Sequence, residues 1–178
     1  METNYIIRRQ VPVHDRWMNT IIFIFGYLWF ISGVDKILSG QFVSGFADYT
    51  NTALTNPAVY GWYRNILVNL LLPHSVFFAS AIQLTEVIIG VLLILGSLWN
   101  YFKHAHSVHY VLGFAHIVSF FLIANIILAR GSSFPFIDRS IVFEEGVNLD
   151  FIVLLASLFL AIANFNEAYW EKHEGIYK

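Results

Sequence analysis

Glu86 sits near the centre of an apolar stretch, Val76 to Trp99. An unpaired carboxylate in the middle of such a segment, were it in lipid, costs about 3 kcal/mol or more. Desolvation there favours the neutral acid, which can donate a hydrogen bond or carry a proton. Two roles suit that chemistry. Glu86 is either a proton donor or carrier for a bound apolar ligand, or a neutral acid bonded to Gln83 or to a backbone carbonyl. His116, in the next apolar stretch, lies at a depth within roughly 5 Å of Glu86 at about 1.5 Å per helical residue, so the two are candidate partners.

The cations gather where apolar runs stop. Asp35-Lys36 closes the first run and Arg130 closes the third. Asp35 either holds Lys36 in place or pairs with it at the surface. Arg64 lies within Trp62-Tyr63-Arg64, a cluster suited to closing over an anion or a ring. His74 follows Pro73, and Arg139 follows Asp138. The plain role of such residues is snorkelling and surface ion pairing, which fits Arg139 best. His109 and His116 share a helical stripe but stand roughly 10 Å apart along it, so they cannot both ligate one iron. No haem or metal is expected. The chain has no cysteine, which removes disulfides, thiolate nucleophiles and iron–sulfur clusters as sources of chemistry.

The elements that must position these residues follow from composition. Hydrophobic residues make up 57% and charged residues 12%, against about 25% charged in an ordinary soluble domain. Mean hydropathy is +0.63. These values imply an integral membrane protein, and a net charge of -2 gives no case for nucleic acid binding. Four segments, at about 17–38, 76–99, 107–129 and 149–169, each have roughly the 20 residues a helix needs to cross a bilayer. They lack the alternation of barrel strands. The predicted fold is an all-α integral membrane protein, a single domain with a four-transmembrane-helix bundle and two long outer loops. Ile66 to Pro73 is too short to span and is read as a surface or re-entrant helix.

Lys and Arg set the orientation. Arg8, Arg9, Arg16, Lys103, Lys172 and Lys178 fall on one side, and Lys36, Arg64, Arg130 and Arg139 on the other. The expected topology places both termini in the cytoplasm and the long loops, Ser39 to Ser75 and Arg130 to Asn148, outside. Trp17, Trp99 and Trp170 then mark the inner boundary. The first apolar run ends without a small-residue cleavage site and is read as a retained span, with Arg8-Arg9 an anchoring pair. The loops carry turn residues (Gly40, Gly45, Asn56-Pro57, Gly61, Pro73, Gly131, Pro135 and Gly146) beside many aromatics. They are expected to fold over the outer end of the bundle or against a partner. Small and polar stripes should face inward: Gly26, Phe30 and Gly33; Ala79, Gln83, Glu86, Gly90 and Ser97; His109, Gly113 and His116; Asp150, Ser157, Ala161 and Asn164.

Gly26, Phe30, Gly33 and Lys36 resemble the first-helix pattern of DoxX-type membrane proteins. Asn56-Pro57, Trp62-Tyr63-Arg64, Pro73-His74 and the run from Glu86 to Gly96 are similar to the DoxD subunits of archaeal thiosulfate:quinone oxidoreductase. The resemblance covers nearly the whole chain. It implies oxidation of thiosulfate to tetrathionate, with electrons passed to a membrane quinone and a DoxA-type second subunit as partner. The roles within that reaction are assigned from chemistry. Lys36, Arg64 and Arg130 would concentrate positive charge for the thiosulfate dianions, with Asp35, His74 and Arg139 behind them. Glu86 and His116 would supply protons to the quinone, Trp62 or Tyr63 would pack on its ring, and Gln83 would line its site. Two rivals stand beside this reading: a non-catalytic anchor or assembly subunit of a respiratory quinol-linked complex, and a small sulfur-anion carrier.

Overall fold

The computed structural model describes residues 13–103, 106–130 and 149–174. Every described element is helical: α1 (Val13–Ser39), α2 (Gln41–Thr55), α3 (Gly61–Ile66) running into a π-helical turn (Leu67–Leu71), α4 (Ser75–Lys103), α5 (His106–Arg130) and α6 (Leu149–Glu174). Four of them, over Arg16–Ser39, Ser75–Phe102, Ser107–Arg130 and Asp150–Trp170, are long and apolar enough to cross a membrane. A helix satisfies its own backbone hydrogen bonds, so these apolar runs have no cheaper conformation in lipid. The helices overrun the predicted apolar limits by a few residues, because helical geometry continues where the side chains turn polar.

Two tight pairs make the bundle. α1 packs against α4 and α5 against α6, and α4 joins the pairs through α5. Glycine explains the first contact. A Cβ on Gly26 would lie 2.8 Å from the backbone nitrogen of Ile94, and one on Gly33 would lie 2.9 Å from the carbonyl oxygen of Gln83. A Cβ on Gly90 would meet the Cα of Phe30 at 2.6 Å. The backbones therefore touch, as small residues allow in helices that gain little from apolar burial in lipid. The antiparallel register is closed at the far end by Asn100, whose amide donates to Asn19 Oδ1 at 3.0 Å.

The glycine stripe of α1 faces α4, and a second stripe faces the bundle axis. Ile22 and Trp29 on that stripe join Ile89, Leu93, Leu112, Ala115, Leu154 and Leu160 in the main core. The other predicted stripes are also buried: Glu86 and Ser97 on α4, His109 and His116 on α5, Ser157, Ala161 and Asn164 on α6.

Most of the chain between Ser39 and Ser75 is helical, with turns at 56–60 and 72–74. Gly40, with φ of 63°, breaks the helix between α1 and α2. α2 turns Phe46, Thr50 and Ala53 inward at helical spacing. Ala53, Val59, Tyr63 and Leu67 then pack with Ala129, covering the end of α5. The first of the two long connections thus packs over one end of the bundle. The second long loop, including Asp138 and Arg139, lies outside the described residues.

Candidate functional site

Glu86 does not stand alone. Its two carboxylate oxygens each accept from Lys36 Nζ at 2.5 Å. Ser32 donates to Glu86 Oε2 at 3.1 Å and accepts from Lys36 Nζ at 3.0 Å. Lys36 and Ser32 stand one helical turn apart on α1, so a single face presents ammonium and hydroxyl to one acid on α4. Glu86 is 1% exposed, whereas the Lys36 side chain is 24% exposed. The acid is thus sealed and the base reaches the edge of the cluster. Phe42, at the start of α2, lies under the ammonium at 5.1 Å from its ring centroid and adds a cation–π contact. The sequence reading of a neutral acid bonded to Gln83 or a backbone carbonyl gives way to an ion pair with a supporting hydroxyl. The counter-charge offsets the desolvation of Glu86 that made it costly alone.

His116 is not the partner of Glu86. It is fully buried, and neither ring nitrogen has a hydrogen-bond partner. Its ring meets that of Phe25 edge-on at 6.1 Å. Gln83 Oε1 is also buried without a partner. Asp35 is exposed, and the Lys36–Glu86 pair takes its hydroxyl from Ser32.

Arg64 and Arg130 meet through Asn56. The Asn56 carbonyl accepts from Arg64 Nη2 at 3.0 Å, and its side-chain amide donates to the Arg130 carbonyl at 2.7 Å. Asn56 Oδ1 accepts from the backbone of Ala58 at 2.9 Å, which shapes the turn into α3. The Arg130 guanidinium is ion-paired with Asp150 at the start of α6. Arg64 Nε is buried and unpartnered, so this guanidinium retains donors for a further acceptor.

Tyr63 is buried, and its hydroxyl lies 3.1 Å from both the backbone and side-chain oxygens of Asn125. Burial pushes the phenol up to about 12, with Tyr49 adding to the shift. Trp62 is exposed, its ring against those of Tyr60 and Tyr63. His74 is exposed in the turn before α4. The structure therefore assembles two groups at the end of the bundle covered by α2: Lys36, Glu86 and Ser32, and Arg64 with Arg130 about Asn56. Ser32, Phe42 and Asn125 were missed. Only Ser32 left a signal, through its i, i+4 spacing to Lys36.

Comparison of the chain with family models, with curated proteins and with solved structures gives no match.

Proposed function

We propose that the chain is the membrane subunit of a thiosulfate:quinone oxidoreductase, acting with a second subunit. The observation that carries this reading is the Lys36–Glu86–Ser32 cluster, a buried acid bound to a partly exposed base at the same end of the bundle as Arg64 and Arg130. In the proposed reaction two thiosulfate dianions each lose one electron and join through a new S–S bond. The quinone takes both electrons and two protons and leaves as quinol. Thiosulfate brings no protons at ordinary pH, so groups in the protein must relay them.

Arg64 is assigned to contact the anions, with Arg130, held by Asp150, adding its charge beside it. Arg64 keeps unpartnered donors, and a guanidinium suits the planar pairing of oxyanions. Lys36 acts through Glu86, because its ammonium is already engaged. A quinone carbonyl needs a donor and a quinol hydroxyl an acceptor. The amide of Gln83, with its unpartnered Oε1, fits those needs, and Lys36–Glu86, with His116 behind it, supplies transferable protons. The exposed Trp62 ring is assigned to the edge of the quinone site.

One observation favours the anchor reading instead. Lys36 and Arg130 are both spent on internal ion pairs, as structural cations are. Purified chain, with and without its partner, decides between the two when assayed for thiosulfate-dependent reduction of a quinone analogue. Loss of reduction in Arg64→Ala, with the complex intact, supports the enzyme reading. Reduction that the partner performs alone supports the anchor. Thiosulfate affinity unchanged in both Arg64→Ala and Arg130→Ala membranes removes the anion site.

A further inference from the structure

The bundle axis is polar well beyond the Lys36–Glu86 pair. His116 is fully enclosed, with both ring nitrogens unpartnered. Trp29 is 8% exposed and its indole N–H has no acceptor. Ser157 is fully buried and its hydroxyl is likewise unpartnered. These residues come from three different helices, α1, α5 and α6.

The packing brings them to neighbouring levels. Phe25, Trp29, Ser32 and Lys36 follow one another at spacings of four, three and four along one face of α1. Phe25 contacts the ring of His116, and Ser32 and Lys36 bind Glu86. Trp29 therefore stands between His116 and Glu86, about one turn from each, or roughly 5 Å of rise. The antiparallel register of α5 and α6 is pinned by the Arg130–Asp150 ion pair at one end. At the other, His109 Nδ1 lies 3.2 Å from Asn164 Oδ1. That register sets Ser157 within about a turn of His116. Beyond His116, the His109–Asn164 contact continues the polar line towards the end of the bundle away from α2.

A neutral imidazole has one donor and one acceptor, and a hydroxyl has both. Buried polar groups of this kind are normally satisfied, and internal water is the usual means where protein groups do not reach. We propose that His116 is the middle station of a water-bridged proton relay along the bundle axis, between the Lys36–Glu86 pair and the His109–Asn164 contact. Water held by Trp29 and Ser157 joins His116 to the cluster at Glu86. In each transfer one ring nitrogen of His116 gains a proton as the other releases one. No group is oxidised or reduced. Trp29 only donates, so it orders the water and does not pass the proton on. The relay stands on packing alone and is independent of the thiosulfate reading.

The test is water-edited solid-state NMR on the 15N-labelled full chain in lipid bilayers. Magnetisation transfer from water to the ring N–H of His116 and to the indole N–H of Trp29 is expected. His116→Phe should abolish the transfer at Trp29 while leaving that at the exposed Trp17. His116→Gln, which keeps a donor and an acceptor, should retain it. Absence of transfer at both His116 and Trp29 in the folded wild type overturns the proposal. So do contacts from these two groups to an added quinone analogue in place of water.

Discussion

At the residue scale the decisive fact is that Glu86 and Lys36 are one unit. Removing Lys36 leaves a buried acid without its counter-charge, whereas removing both leaves an apolar gap. Lys36→Met is therefore expected to cost about 3–5 kcal/mol of stability. The double variant Lys36→Met/Glu86→Leu should recover most of that loss. Unfolding of wild type, Lys36→Met, Glu86→Leu and the double variant in the same detergent measures the coupling, and additive effects would dissolve the unit. Tyr63 gives a second residue-scale prediction. Its folded pKa of about 12 lies above the ordinary 10.0, so the proton is held more tightly in the folded state. The sign follows: the Tyr63 contribution is complete below pH 10 and is lost as pH rises through 12. Comparing alkaline unfolding of wild type with Tyr63→Phe isolates that contribution, since the variant should lack this segment of the pH dependence. The sequence made Glu86 visible because a charge in an apolar run is conspicuous. It did not reveal its partner. Lys36 lies at the end of its run, where snorkelling was the simple account, and only the register of α1 on α4 swings it towards the acid.

At the scale of elements, the contrast among glycines tests what holds α1 to α4. Gly90→Ala forces a methyl against the backbone of Phe30 and should cost about 1–3 kcal/mol by separating the helices. Gly45→Ala meets nothing within 4 Å inside α2, and should stabilise by about 0.5–1 kcal/mol through helix propensity. Thermal unfolding of both variants reads the difference in sign. Equal effects would mean that the glycines of α1 and α4 do not set the approach of the two helices. The four long helices were legible because each is apolar for about the thickness of a bilayer. α2 was not. Its inward residues Phe46, Thr50 and Ala53 have helical spacing, but Gly40, Gly45 and Asn56-Pro57 read as turn chemistry, and its stripe is short and mixed. What makes it a helix is tertiary: the exposed ends of α4 and α5 offer a surface that only an amphipathic segment can cover.

For the whole molecule, the two ends of the bundle carry different chemistry. The α2 end holds the ion pairs Lys36–Glu86 and Arg130–Asp150, and the other end holds the side-chain contacts of Asn19 with Asn100 and His109 with Asn164. Which end faces the cell exterior fixes where an anion could arrive and where protons would enter. On the distribution of Lys and Arg we propose that the α2 end lies outside. The absence of native cysteine makes this directly measurable, because a single introduced thiol is unambiguous. Thr52 on α2 and Phe102 near the end of α4 are both exposed and lie at opposite ends of the bundle. A membrane-impermeant maleimide applied to intact cells should label Thr52→Cys and spare Phe102→Cys until the membrane is opened. The reverse pattern would place Arg64 and Arg130 on the cytoplasmic side. An external thiosulfate could not then reach them, and the relay would draw protons from outside. A single pair of labelling experiments thus constrains the orientation, the source of the anion and the direction of proton flow together.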